Sequence, residues 1–131
     1  LHIYEFGPHQ GKKIDRFDSK GLTVTGLLGS SGDTHLVCMH IEAGGTVGRH
    51  DATIEQLFMV VSGEGWVSGA DGRRVPIRAG QAAFWESGES HASGSKVGMT
   101  VIVAESERLN LRLPQTPNAE SEAAEVSTKE E

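Results

Sequence analysis

An all-β fold, a sandwich or barrel of about ten short strands, is what this sequence predicts. Three observations carry that expectation. Seventeen glycines in 131 residues cut the chain into short pieces. Apolar residues gather in brief runs rather than at helical spacing, and turn clusters recur roughly every 8–12 residues. The length suits one domain with a single core and falls short of two.

The elements can be taken in order. HIYEF alternates weakly, and KIDRF continues the same edge after the turn residues GPHQG. GLTVTGLL and THLVCMHIE read as two strands separated by GSSGD, and Ala43-Gly44-Gly45 ends the second. IEQLFMVV is apolar and β-branched enough for a buried strand, and SGEG is expected to turn the chain into WVSG. Asp71-Gly72 forms the tip of a hairpin whose returning strand is RRVPI; Pro76 there favours an edge or a bulge, because it has no N–H to donate. QAAFW, the stretch around His91, VGMTVIVAE and LNLRL supply the remaining strands.

Residues 1–113 therefore read as one domain, and 114–131 as an acidic tail with almost no apolar surface, disordered or loosely helical. From Gln115 to Glu131 there are five Glu and one Lys, so most of the formal charge of −6 belongs to the tail. No cluster of Arg and Lys is present to neutralise phosphates, which argues against nucleic acid as a partner. The single cysteine, Cys38, has no internal disulfide partner, and the amino end lacks the pattern of a signal peptide. A cytoplasmic protein is the default expectation. No run approaches the roughly 18 apolar residues that would suggest a membrane span.

The stretch GRHDATIEQ, residues 48–56, concentrates polar chemistry just ahead of the apolar run LFMVV. Alternation along a regular strand puts His50, Ala52, Gln56, Phe58 and Val60 on one face, with Asp51, Glu55 and Leu57 on the other. A bend near 53–55 would break that parity. If His91 comes from a neighbouring strand, two imidazoles and one amide converge in the interior.

The order of these residues resembles the cupin superfamily. Its first motif is G-x5-H-x-H followed by E-x6-G, and its second is G-x5-P-x-G-x2-H-x3-N. Gly44, His50 and Gly63 fit the first; Ala52 stands in place of the second histidine and Gln56 in place of the glutamate. Gly80, Gly88 and His91 fit the second, with Glu86 for the proline and Ser95 for the asparagine. The resemblance covers about residues 35–105. It implies a double-stranded β-helix, or jelly-roll barrel, with the ligand pocket inside.

It also implies a divalent metal, Fe, Mn, Ni or Zn, on His50, Gln56 and His91. Imidazoles suit such ions, but Gln in place of Glu removes charge and Ala52 removes a ligand, so binding would be weak. Glu55, on a bulged strand, and His40 are further candidate ligands. The residue types more simply suggest a solvent-facing Glu and a partly buried, hydrogen-bonded His.

Three functions follow as expectations. In the first, a small organic molecule, a sugar or a carboxylate, occupies a pocket lined by His50, Ala52, Gln56, Phe58, Val60, Phe84, His91 and Met99. In the second, a metal-dependent dioxygenase, isomerase or lyase uses His50, Gln56 and His91. The third is a non-catalytic regulatory or interaction module. The resemblance implies a homodimer, and the amino-terminal edge is a candidate for pairing between chains. Cys38 is expected to be a small buried residue, Trp66 and Trp85 to pack in the core or an interface, and Arg49 to be exposed at a loop end.

Overall fold

Residues 1–116, which the computed structural model describes, form twelve strands and two single-turn 3-10 segments. The strands are β1 (His2–Glu5), β2 (Lys12–Ile14), β3 (Leu22–Val24), β4 (Leu28–Ser30), β5 (His35–Ile41) and β6 (Thr46–Asp51). They continue with β7 (Glu55–Ser68), β8 (Arg74–Arg78), β9 (Gln81–Trp85), β10 (Ser90–Gly94), β11 (Met99–Ser106) and β12 (Leu109–Leu111). The expected tail falls almost wholly on residues 117–131, outside the described residues. Gln115 and Thr116 lie along β1, where the Thr116 amide donates to the Ile3 carbonyl at 2.8 Å.

β7 organises the molecule. SGEG does not turn the chain, as its composition predicts, but continues as strand, so one 14-residue element serves both halves of the sheet. Its first part pairs with β9 and β11, and its last part with β8 and β10. Glycine permits this passage for two reasons. Gly63 has φ +81°, and the register against β11 slips two residues earlier, at Val61. At Gly63 and again at Gly65, a Cβ would drive into the facing backbone carbonyls of Gly98 and Gly94. The glycines read as turn residues are sites of close backbone approach.

β7 brings the two halves against one core. Phe58, Val60, Trp85, Met99 and Val101 from the first half pack with Val67, Val75 and Ile77 from the second. On the other face of the first half, Leu57, Met59, Ala82 and Ala104 pack under Leu109 and the partly buried Tyr4, Phe6, Leu27 and Leu28. Much of that cover comes from the β4–β12 pair, tied down where the Leu109 amide donates to Glu55 Oε1 at 2.7 Å.

The barrel expected from the resemblance does not close. The main sheet runs β1-β9-β7-β10-β6, with β11 and β5 branching from β7 on one side and β8 on the other. Among the described residues no ladder joins its outer strands to one another, so neither a closed double-stranded β-helix nor a jelly roll is formed. The local chemistry accounts for this. β8 pairs only with β7 and carries Pro76, which lacks a donor, in the edge position its sequence favours. β1 is covered on its outer side by Gln115. The turn after β5 is bound instead to the loop after β10, by Gly44 N–H to the Ser95 carbonyl and Ser95 N–H to the Gly45 carbonyl. The amino-terminal edge expected to pair between chains is thus occupied within the chain, and the structure gives no support to a homodimer formed there. KIDRF also departs from expectation: it does not extend β1 but contributes to the separate β2–β3 hairpin.

Candidate functional site

His50 on β6 and His91 on β10 are cross-strand partners, and their ring centroids lie 4.3 Å apart. Each is anchored in the same way. His91 Nδ1 lies 3.0 Å from the Glu89 carbonyl, and His50 Nδ1 lies 2.7 Å from the Gly48 carbonyl. A carbonyl only accepts, so Nδ1 carries the proton in both, and the neutral rings keep their lone pairs on Nε2. His50 sits exposed at the rim, whereas His91 is buried, with 4% of its surface accessible.

Trp85 builds the floor under His91. The two rings stack at 4.4 Å, and Phe58 meets the indole edge-on at 5.4 Å. The indole N–H donates to the Ser68 carbonyl at 3.2 Å, which fixes the ring in its plane. Burial lowers the His91 pKa below its ordinary value, partly opposed by the hydrogen bond to the Glu89 carbonyl. Neighbouring His50 lowers it further, the Glu89 carboxylate raises it, and Arg49 lowers it.

The two motifs meet in the backbone. Ala52 is buried; its N–H donates to the Glu89 carbonyl at 2.9 Å, and its carbonyl accepts from Gly88 N–H at 2.6 Å. One carbonyl, that of Glu89, therefore holds both Ala52 and His91. Arg49 is exposed as expected, but it stands within β6 rather than at a loop end and acts as a clamp, donating to the Gly69 carbonyl at 2.9 Å, Ser90 Oγ at 3.1 Å and Ser68 Oγ at 2.5 Å. It ties β6 to the β7–β8 hairpin.

The other residues singled out in the sequence fall in different places. Gln56 pairs with Trp85 in the β7–β9 register and shares the Phe58 side of the strand, partly buried beside the indole–imidazole stack. The strand is interrupted at residues 52–54, as the anticipated loss of parity requires. Phe58, Val60 and Met99 belong to the core that holds Trp85. Phe84 lies on the opposite face with Leu57 and Met59, away from His50 and His91. Glu55 is committed to the Leu109 amide. Cys38 is exposed rather than buried, and so is His40, expected to be partly buried; Cys38 Sγ lies 3.6 Å from His40 Nε2.

The donor set fits a resident metal poorly. Two imidazoles are present, with Ala52 and Gln56 where further ligands would stand, and no group of three or more His, Cys, Asp or Glu able to hold an ion occurs among the described residues. Trp85 packs in the core as expected, and both it and Arg49 also hold the histidine-bearing strands in place. Composition marked Trp85 as a packing residue, but its contact with His91 depends on the turn at 86–89, and nothing in the local sequence signals the Arg49 clamp.

Residues 37–103 match the cupin domain family, about half of the 131-residue chain, and the chain belongs to that family. Among solved structures it is similar to a protein of unknown function from Streptococcus pyogenes, with 15% identity, a TM-score of 0.54, and coverage of 60% of this chain and 68% of that one. It is also similar to a predicted oxalate decarboxylase from Thermotoga maritima, with 28% identity, a TM-score of 0.50, and coverage of 58% and 64%. A polyketide cyclase from Streptomyces resistomycificus is 20% identical, with a TM-score of 0.52 and 63% of each chain covered. The match spans less than two thirds of the last two chains. No curated protein matches the chain. A small-molecule-binding fold class is what the family membership supports.

Proposed function

We propose that the protein binds a small hydroxyl-bearing organic molecule at the His50–His91 face. The observation that carries this reading is the shared anchoring of the two imidazoles through Nδ1. Two neutral rings with Nε2 lone pairs side by side accept hydrogen bonds, so they suit a ligand that donates them. Sugars, polyols and phenols do so; an ionised carboxylate only accepts. Trp85 and Phe58, buried beneath His91, hold its ring in place from the core side, and the partly buried Gln56 adds an amide nearby.

The similar structures bear names of different activities, a decarboxylation and a cyclisation, so they favour no single reaction for this chain. A metal-dependent reaction is the weaker reading, because the donor set is short. Chelator treatment is expected to leave the melting temperature unchanged, since the ligands present hold a divalent ion too loosely to stabilise the fold.

The test is a ligand titration followed through the histidine ring resonances, using monosaccharides, polyols and phenols against matched carboxylates. Hydroxyl compounds are expected to shift the His91 and His50 signals, and His91→Ala is expected to abolish their binding. Equal or larger shifts with carboxylates, or binding that survives both His50→Ala and His91→Ala, would overturn the proposal.

A further inference from the structure

A groove of about 820 Å³ lies at the far end of β6 and β10 from the histidine pair, where Thr46 and Gly94 are partners. It shares none of the histidine-site residues. Its floor is the face of the β7–β8 hairpin that alternates away from the core: Val67, Val75 and Ile77 are core residues, while Trp66 and Pro76 pair across the outer side. The Arg74 guanidinium sits over Trp66, 3.8 Å from the ring centroid. The indole also lies against Gly94, where a Cβ would come within 2.7 Å of its ring atoms. Trp66 therefore serves as a rest for Arg74, and a guanidinium held over an aromatic ring keeps its N–H donors for another partner.

No such partner is supplied by the described residues. Among the described residues, neither Arg74 nor Lys96 pairs with a carboxylate. Arg78 reaches Glu5 only at 3.9 Å, with its side chain 61% exposed. Three cations and a single carboxylate, Glu64, line the groove, on a chain whose formal charge is −6. Val97, 64% exposed, and Pro76 add an apolar flank.

We infer that this groove binds a small organic anion, a phosphate or carboxylate attached to a flat apolar group. Arg74 and Lys96 take the anionic head, and Val97 and Pro76 flank the apolar part. The positive lining is complementary to such a ligand, and the held guanidinium matches the fork geometry of both head groups.

Isothermal titration of the full chain with phenyl phosphate and with benzoate, using benzamide as the uncharged comparator, tests this. At least one anion is expected to bind and benzamide is not; the tighter of the two anions identifies the head group. Arg74→Ala and Lys96→Ala should each weaken binding by about tenfold or more, while His91→Ala leaves it unchanged. Each variant is checked for an unaltered amide spectrum, so that lost binding is distinguished from lost structure. Binding of benzamide as tight as that of the anions, an equal loss in His91→Ala, or no binding of either anion at millimolar concentration would overturn the inference.

Discussion

His91 is a titratable group under a stacked indole, and its environment favours the neutral form. The unfolded chain takes up a proton near the ordinary value of 6.5, and the folded chain does so only at lower pH. Between those two points the unfolded state holds more protons, so stability rises with pH. Acidification from about pH 7.5 to about pH 5.5 is thus expected to lower the melting temperature, and the fall should level off below the folded-state pKa. His91→Gln should flatten the corresponding part of the profile, as read by thermal unfolding of both proteins across that range. Ligand binding at the pair should weaken at lower pH, as the pH falls through the depressed folded-state pKa of His91, because protonated Nε2 no longer accepts.

Among the elements, β7 and the β4–β12 cover make separable predictions. Gly63→Ala combines a left-handed backbone with a clash against the Gly98 carbonyl and is expected to cost about 2 kcal/mol or more in urea unfolding. Gly72→Ala, at φ +76° with no atom within 4 Å of the added Cβ, should cost only the conformational part, about 1 kcal/mol. Glu55→Ala removes the acceptor of the Leu109 amide and should cost about 2 kcal/mol. Its signature in hydrogen exchange would be early loss of protection at Leu109, ahead of β7 itself. Most strands were legible from apolar runs and turn residues, and Pro76 announced an edge. Gly63 and Gly65 misled because the same residue that permits a turn also permits two backbones to touch, and only the facing strand decides between them. At the site, motif spacing located His50 and His91, whereas Phe84 was misplaced because alternation gives a face only once the register is known. The imidazole tautomers and the Trp85 stack depend on carbonyls and turns distant in sequence.

At the scale of the whole molecule, the open sheet leaves β5, among the described residues, paired on one side only, with β11. Its seven residues contain neither proline nor lysine, and Leu36 is 67% exposed. Such an edge is prone to unspecific strand addition. Leu36→Lys is expected to reduce concentration-dependent association, measured by light scattering over a dilution series, without lowering the melting temperature. An unchanged scattering profile would show that this edge does not contribute to association. The all-β character was visible from the sequence, but the closed barrel expected from it is not formed: closure depends on how the outer strands are occupied, by Gln115 on β1 and by the Ser95 loop at the end of β5.

The Glu89 carbonyl, which receives both the Ala52 amide and His91 Nδ1, gives the site a built-in spectroscopic reporter. A proton or a ligand on Nε2 changes how strongly Nδ1–H competes for that oxygen, and the Ala52 amide must register the change. The backbone resonance of a residue with no titratable side chain should therefore follow the His91 titration curve and respond when the pair is occupied. The position that lacks a histidine becomes the one from which the remaining histidine can be observed.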